Sequence, residues 1–305
     1  MIFSVSVDLD GLGCYAAIHG LEARTLDRRA LEAVPVVALE RLCELFAELD
    51  VRATFFAIGR EVDEIGGASA ALRRAAVAGH EIGSHSYAHD YALSRSASAE
   101  IEVDLRRADE SIERATGLVP RGFRAPGYTL TPALLSAIAA RGYAYDSSLL
   151  PSPAYYAAKA VAIGLHALRG RRSHSILGPP AQLIRPRGPH WIGAVRELPI
   201  ATVPLARLPV IGTLVVAVPE KLAASLLWSA RAGSHLNLEL HGIDVLDAGD
   251  GAPAALAAVQ PGLKMPASRK MQRLRALLTE MKSRAQVATL ESAAATLLPG
   301  VAASH

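Results

Sequence analysis

Strand-like and helix-like segments alternate along most of this 305-residue chain. Residues 2–7 and 52–57 are strand-like, while residues 35–49 and 68–78 carry apolar side chains at helical spacing. The alternation continues to a last strand and helix within residues 286–298. Such alternation is typical of a parallel sheet covered by helices. We therefore predict an α/β fold, in the form of a (β/α) barrel that is complete or one unit short.

One domain, residues 1–305, is enough to explain this pattern. The alternation becomes irregular within residues 151–195, where prolines and arginines punctuate a long apolar segment. That stretch is too short and too unevenly patterned for a domain of its own. We interpret it as an insertion within the single domain.

Composition excludes several classes of protein. Apolar residues at 51% and charged residues at 20% indicate a globular core rather than disorder, and a net charge of +3 is too small for a nucleic-acid clamp. No window approaches the roughly 20 uninterrupted apolar residues that span a bilayer. The two cysteines cannot form a disulfide framework, which favours a reducing compartment. Because the first residues read directly as a strand without a secretory signal, we expect a cytoplasmic protein.

Ionisable side chains collect where the predicted strands end, which is where α/β barrels place their active sites. The first strand ends in Asp8 and Asp10. Residues two apart on an extended chain point the same way, so both carboxylates lie on one face. Their charges would repel unless a cation lay beside them. A loop in which an aspartate caps a turn is the alternative.

The third predicted strand leads into His85 and His89. A four-residue gap on a turn or helix sets both imidazoles on one side, as in zinc-binding helices. With one aspartate they make a set of two histidines and a carboxylate, which leaves metal positions open to water and substrate. No glutamate lies between the histidines, so the HExxH motif is absent and the general base must come from elsewhere.

Two later segments supply what such a metal site lacks. Arg124 follows a strand and could hold a carboxylate, and a tight turn at Gly127 and Tyr128 could direct amides toward an oxyanion. His241 ends a later strand and is available as a general acid. A surface arginine, an ordinary turn and a buried core histidine are the alternative interpretations.

Taken in order, these segments resemble the five motifs of the polysaccharide deacetylase family, also called the NodB homology domain or carbohydrate esterase family 4. The matching segments are Asp8-Leu9-Asp10, His85-Ser86-Tyr87-Ala88-His89, Arg124-Ala125-Pro126-Gly127-Tyr128, Asp146 and Leu238-Glu239-Leu240-His241. The resemblance covers about residues 1–150 and 196–298. It implies a distorted (β/α) barrel of the NodB deacetylase type. The spaced aspartates depart from the common family form, in which the two are adjacent.

The resemblance also implies a role for each matched residue. Asp8 would be the catalytic base, held by Arg124. The metal ligands would be Asp10, His85 and His89, and the metal most often Zn²⁺. Because a residue separates the two aspartates, their roles as base and ligand could be exchanged.

The remaining matched residues would complete the chemistry. His241 would be the general acid, and Asp146 would orient it and raise its basicity. The backbone amide of either Gly127 or Tyr128 would bind the oxyanion.

These roles together predict a metal-dependent hydrolase that removes an N-acyl group, most simply N-acetyl, from an amino sugar in a glycan, glycoside or lipid-linked saccharide. The expected partner is carbohydrate, and no nucleic acid is expected. A hydrolase of small ureide or cyclic-imide bonds is one alternative, and a small closed pocket would favour it. A carbohydrate-binding relative without turnover is another.

The insertion at residues 151–195 adds an expectation of its own. Its apolar stretch is followed by a cluster of arginines, a combination that suits the interface of an anionic membrane. Two interpretations stay open: a core helix under an arginine-rich surface loop, which the abundance of arginine throughout this chain favours, and a peripheral contact with the inner face of the membrane. The cluster consists of Arg169, Arg171, Arg172, Arg185 and Arg187.

Overall fold

The computed structural model describes residues 1–21, 26–168 and 175–300, and within them nine strands form one sheet. Eight of them follow one another in the order β6-β7-β5-β4-β3-β2-β1-β8, and β9 pairs with β1 beside β2. All pairs are parallel except β6 with β7. The strands are β1 (Ile2–Asp8), β2 (Thr54–Ala57), β3 (Glu81–Ser84), β4 (Gly122–Phe123), β5 (Tyr145–Asp146), β6 (His190–Ile192), β7 (Val195–Glu197), β8 (His235–His241) and β9 (Gln286–Val287).

Helices connect the strands and cover the outer face of the sheet. They are α1 (Leu12–Ile18), α2 (Arg28–Glu32), α3 (Leu39–Glu48), α4 (Gly59–Glu64), α5 (Ala68–Val77), α6 (Ser98–Thr116), α7 (Pro132–Ala140), α8 (Pro153–Leu168), α9 (Gly212–Ala217), α10 (Glu220–Ser229), α11 (Ala254–Val259), α12 (Ala267–Arg284) and α13 (Leu290–Leu297). The predicted α/β barrel-type fold is confirmed.

Local sequence signals explain where several helices begin and end. Thr131 caps α7 by accepting a hydrogen bond from the Leu134 amide, and Pro132 takes the first helical position, where its missing N–H costs nothing. Gly117 ends α6 with φ at 79°, a left-handed conformation that side chains other than glycine rarely adopt. These signals mark the end of α6 and the start of α7, the helices that come before and after β4 in the chain.

Two faces of β1 separate the apolar layer from the polar interior of the barrel. Phe3, Val5 and Val7 belong to the main hydrophobic core beneath the helices, whereas Ser4 and Ser6 are buried on the opposite face. Because successive side chains of a strand alternate between faces, Asp8 is directed into the interior with the serines. The strand β8 shows the same alternation and pairs with β1 along all seven residues. The interior of this barrel is therefore lined with polar side chains.

The irregular backbone that follows β7 connects the β5 side of the sheet with β8. The Leu198 amide donates to the Asp146 carbonyl (2.9 Å), and the Ala201 amide donates to the Asn237 carbonyl of β8 (3.0 Å). Residues 198–201 therefore connect these two parts of the sheet. The result is the distorted barrel that the sequence resemblance implied.

Two helices differ from the sequence analysis. Neither α1 nor α12 was predicted. The insertion contains α8 and ends with the hairpin partner β6. Three of its five clustered arginines, Arg169, Arg171 and Arg172, lie outside the described residues. Among the helices that the structure describes, none is long and apolar enough to cross a membrane.

Candidate active site

Three of the predicted site residues converge at the carboxyl edge of the sheet. Oδ1 of Asp10 lies 3.2 Å from Nε2 of His85 and 3.2 Å from Nε2 of His89. All three side chains are buried. Residues far apart in the sequence thus place one carboxylate and two imidazoles around a single point, as the predicted metal site requires.

The loop that carries the two histidines has a strained backbone, and hydrogen bonds to two neighbouring helices hold it in place. Ser86 and His89 both have positive φ, at 65° and 51°, so the segment is a strained loop rather than the regular turn or helix considered from the sequence. The Asp104 carboxylate of α6 accepts hydrogen bonds from the amides of Tyr87 (2.8 Å) and Ala88 (3.0 Å). The first amide of α4, on Gly59, donates to the Ser86 carbonyl. These contacts preorganise both rings.

The hydrogen bonding of Asp10, His85 and His89, called the triad below, leaves these side chains suited to hold a divalent cation. Nδ1 of His85 donates to the Arg124 carbonyl (2.7 Å), because a carbonyl can only accept, and this leaves Nε2 with a lone pair directed at Asp10. Oδ1 of Asp10 and Nε2 of His89 are buried without a hydrogen-bond partner. Burial disfavours the Asp10 carboxylate, but the positive charges of His89 and His85 outweigh it and hold its pKa well below the usual value. An anionic carboxylate and two imidazole nitrogens are suitable ligands for a borderline metal.

Arg124 fixes the other aspartate of the first motif. Its guanidinium is fully buried, and Nη1 donates to Oδ1 of Asp8 (2.6 Å). Nη2 donates to the hydroxyls of Ser6 (2.9 Å) and Ser147 (2.8 Å), so the contact with Asp8 is a single hydrogen bond rather than a two-pronged pair. The free oxygen of Asp8, Oδ2, lies 3.8 Å from Nε2 of His85. Asp8 therefore faces the triad but stands outside it.

His241 lies at the end of β8, directly opposite Asp8 in the register of β1 and β8. Its Nδ1 donates to Oε1 of Glu239 (3.1 Å), and its Nε2 lies 3.2 Å from the Tyr128 hydroxyl, which itself donates to Oε1 of Glu239 (2.7 Å). The three side chains form one network beside Asp8, in which Glu239 and Tyr128 are buried and His241 is half-buried. Neither Glu239 nor the hydroxyl of Tyr128 was assigned a role from the sequence.

The charges of this network are set by burial and by the neighbouring carboxylates. Burial favours neutral His241, but the negative charge of Glu239, followed by those of Asp10, Asp8 and Asp244, raises its pKa to about 9. Burial raises the pKa of Glu239 to about 7 against the opposing charge of His241. His241 is consequently protonated at neutral pH, as a general acid must be.

Asp146 does not take the position that the resemblance implied. Its Oδ1 accepts from the hydroxyl of Ser148 (2.6 Å), and that hydroxyl accepts from the Ala125 amide (2.8 Å). Its other neighbour is Glu197, whose pKa is raised well above its usual value by burial and by the Asp146 carboxylate. Asp146 therefore braces the loop after Arg124, while Glu239 occupies the place beside His241. The physical reason is that β7 pairs with β5, and the chain that follows β7 lies between Asp146 and β8.

Gly127 and Tyr128 form a tight turn with positive φ at both residues, 61° and 60°. A Cβ at Gly127 would lie 2.3 Å from the Tyr91 ring, so only glycine fits there. The Tyr128 amide donates to the Ala125 carbonyl (3.1 Å) and would have to release it before binding an oxyanion. The Tyr128 side chain instead supports His241.

Comparison with known proteins gives two kinds of similarity. The polysaccharide deacetylase family model matches residues 31–145. A peptidoglycan deacetylase of Helicobacter pylori is 27% identical over 150 residues, which are 49% of this chain and 50% of that protein. A chitin deacetylase of Colletotrichum lindemuthianum is 35% identical over 109 residues, which are 35% of this chain and 42% of that protein. The chain spans about half the length of the curated relatives it matches.

Solved structures share the fold over nearly the whole chain. A Mycobacterium smegmatis protein assigned to the polysaccharide deacetylases has a TM-score of 0.60 at 18% identity, covering 97% of this chain and 89% of that one. A family 4 acetyl xylan esterase from Clostridium thermocellum, in complex with a cobalt ion, has a TM-score of 0.50 at 16% identity (97% and 91%). A family 4 pseudoenzyme from Bacillus anthracis has a TM-score of 0.52 at 14% identity (96% and 65%).

The fold and the sequence matches agree with the five motifs read from the sequence. The family model covers the two histidines and Arg124. The structure places both flanking motifs, which end in Asp10 and His241, at the same edge of the sheet. Over residues 31–145, and in its fold, the chain is similar to the polysaccharide deacetylases.

Proposed function

We propose that this protein is a metal-dependent hydrolase that removes an N-acetyl group from an amino sugar of a glycan. The names of the curated relatives, a peptidoglycan deacetylase and a chitin deacetylase, support the substrate class. The observation that carries the proposal is the separation of three functions within one buried site. Asp10, His85 and His89 can hold a cation, while Asp8 and His241 stand outside that set.

The cofactor in this proposal is a divalent cation, most simply Zn²⁺, held by Asp10, His85 and His89. The two unpartnered buried atoms of Asp10 and His89 support this assignment, as does the cobalt ion of the Clostridium esterase. When bound, such a cation polarises the scissile carbonyl and lowers the pKa of a water ligand. The contact of His85 with the Arg124 carbonyl keeps its ring in the tautomer that can ligate.

Asp8 acts as the general base in this mechanism. Arg124 immobilises Oδ1 of Asp8, so the free Oδ2 stays directed toward the residues that would hold the cation, where it can accept a proton from a water. The carboxylate takes a proton from that water as its oxygen attacks the acetyl carbon. The assignment of Asp8 as base and Asp10 as ligand follows from their partners, since only Asp10 contacts both histidines.

His241 acts as the general acid that releases the amine. Below its pKa of about 9 the ring is a cation, and the Nε2 proton can pass to the sugar nitrogen when the C–N bond breaks. Glu239 and Tyr128 hold the ring on the side of β8, across from the base on β1. Acid and base then act from two different strands on one tetrahedral carbon.

The proposal is tested by deacetylation of chitin oligosaccharides and peptidoglycan fragments, with the metal content of each protein measured by elemental analysis. Asp10→Ala should lose both metal and activity. Asp8→Asn should retain metal but lose activity by about 100- to 10,000-fold, because only the base is removed. Full activity of metal-free Asp10→Ala would overturn the proposal. Glycan binding by the metal-loaded wild-type protein without turnover would do the same, and would resemble the pseudoenzyme.

We propose in addition a peripheral contact with an anionic membrane, which was one of the two interpretations of the insertion. Ile184 is 79% exposed and Leu205 is fully exposed, and each has an arginine near it in the sequence. Nη1 of Arg207 donates to the Arg185 carbonyl (2.9 Å), which ties the two loops together. Exposed apolar tips among cationic side chains suit an anionic bilayer surface. A cytoplasmic location stays a prediction.

Sedimentation with phosphatidylglycerol vesicles tests this contact. The double variant Ile184→Ser/Leu205→Ser should bind the vesicles several-fold less than the wild type. Val77→Ser, on the exposed side of α5, is the matched control for loss of an exposed apolar side chain. Equal binding of all three proteins, or no binding of the wild type, would contradict the proposal.

A further inference from the structure

Lys159 brings a positive charge from the insertion to the rim of the active site. It lies on α8, and its Nζ donates to the Gly127 carbonyl (3.2 Å) in the turn that precedes Tyr128. The ammonium also stands 5.6 Å from the centre of the Tyr91 ring and 5.8 Å from that of Tyr155. The lysine is therefore anchored by a carbonyl and two aromatic faces, which leave it further donors for a ligand.

Among residues 1–21, 26–168 and 175–300, no carboxylate forms an ion pair with Lys159. Burial alone lowers its pKa to about 8. A partly desolvated ammonium without an anionic partner carries an energetic cost, which a bound anion would relieve. The ammonium of Lys159 is thus held in place without an ion pair, the contact that would indicate a purely structural role.

Two aromatic contacts relate the lysine to the reacting groups. Tyr91 packs edge-on against the His89 ring, with centroids 5.2 Å apart. Tyr155 packs edge-on against Tyr128, with centroids 5.7 Å apart, and Tyr128 reaches His241. Lys159 therefore stands one side chain away from both the metal-ligand side and the acid side of the site. That distance suits a neighbouring substituent of the sugar rather than the scissile amide.

We propose that Lys159 binds an anionic substituent, a phosphate or a carboxylate, on the amino sugar whose N-acetyl group is removed. This proposal rests on the proposed function, because it assigns a substrate contact to the same site. It makes Lys159 a specificity-determining residue that selects anionic over neutral glycans, and it assigns the insertion a part in substrate choice.

The experiment compares three substrates, N-acetylglucosamine 1-phosphate, N-acetylmuramic acid and the neutral N,N′-diacetylchitobiose, on the metal-loaded full chain. Lys159→Met should lower the ratio of kcat/KM for an anionic over the neutral substrate by tenfold or more, mainly through KM. Lys159→Arg should restore much of that ratio, and Lys221→Met, at an exposed position of α10, should leave it unchanged. The phosphate and carboxylate arms identify which anion the site prefers.

Equal losses on anionic and neutral substrates would show a structural role and overturn the proposal, as would an unchanged ratio. Calorimetric binding of N-acetylglucosamine 1-phosphate to wild-type protein and to Lys159→Met separates this proposal from the proposed function. Weaker binding by the variant in a protein without turnover would support the anion site while the hydrolase assignment fails. Equal binding by both proteins would overturn the anion site whatever the turnover.

Discussion

The two ends of β8 carry the same side chain in different charge states. His235 begins the strand and His241 ends it, and both are directed into the barrel because they lie an even number of positions, six, apart. Burial lowers the pKa of His235 to about 4, whereas the pKa of His241 is raised to about 9. At neutral pH one ring is therefore neutral and the other is a cation.

The difference comes from the neighbours rather than from depth. Nε2 of His235 contacts the hydroxyl of Ser4 (3.1 Å), and among the residues that the structure describes no carboxylate is seen to offset the cost of burying a charge there. His241 faces several carboxylates, with Glu239 in direct contact. His80, which precedes β3, repeats the pattern of the amino end, since it packs against Phe46 and Phe55 and its pKa is lowered to about 4. One end of the barrel thus contributes to stability and the other to chemistry.

The larger of the two expected effects belongs to the amino end of β8 and concerns the stability of the folded protein at acidic pH. The unfolded chain binds a proton at His235 near pH 6.5, but the folded chain does so only near pH 4. The stability from this residue is complete above pH 6.5 and is lost as the pH falls toward 4, by about 3 kcal/mol. His235→Gln keeps a polar side chain for Ser4 but cannot titrate, so its free energy of unfolding should depend less on pH in that window.

Urea denaturation at pH 7, 6, 5 and 4 measures this difference. His19→Gln, at the end of α1 and outside the strands of the barrel, is the control for loss of one imidazole. A wild-type protein and a His235→Gln variant with parallel pH profiles would contradict the assignment of a neutral buried ring.

The smaller effect is on the alkaline limb of catalysis. Glu239→Gln keeps an acceptor for the Tyr128 hydroxyl but removes the charge that most raises the pKa of His241. In the wild type, kcat/KM should fall as the pH rises past about 9. In the variant this alkaline fall should begin at lower pH, so that kcat/KM at pH 8 is about tenfold lower than in the wild type.

Asp146→Asn is the matched control, because it removes a buried carboxylate that braces the loop after Arg124 through Ser148. It should leave the alkaline limb in place. A limb that shifts in Asp146→Asn and stays in Glu239→Gln would restore the pairing implied by the sequence resemblance and refute the geometry described above.

The sequence was sufficient to predict the strands that carry the motifs, because each motif follows a short apolar run flanked by helical spacing. The convergence of Asp10, His85 and His89 follows from parallel strands whose carboxyl ends meet at one edge. It was also predictable that Arg124 would hold Asp8, although only from the resemblance.

Glu239 was missed even though the sequence contained a signal for it. In β8, His235, Asn237, Glu239 and His241 alternate with leucines, so period-two reasoning places all four on one face. Attention to the single histidine at the strand end left its neighbour two residues earlier without a role. The interior of the barrel became recognisable only once β8 was paired with β1.

Other features depend on contacts between distant segments. The left-handed conformations of His89 and Tyr128 are maintained by surrounding backbone contacts and have no signature at non-glycine positions. Lys159 lies in the insertion, and its approach to Gly127 joins residues 32 apart. The α12 helix is mostly polar along its length, which obscured its apolar stripe.

Arg124 joins catalysis and folding in one side chain. Its guanidinium binds groups from β1 and from the residue after β5, while its backbone amide bonds to the end of β3. Removing one partner of a buried ion pair typically costs about 3 to 5 kcal/mol, a large share of the stability of a domain. Selection for a correctly placed base therefore also selects for an assembled barrel. An inactive lineage of this protein that still needs its shape would be expected to keep this arginine long after its metal ligands had drifted.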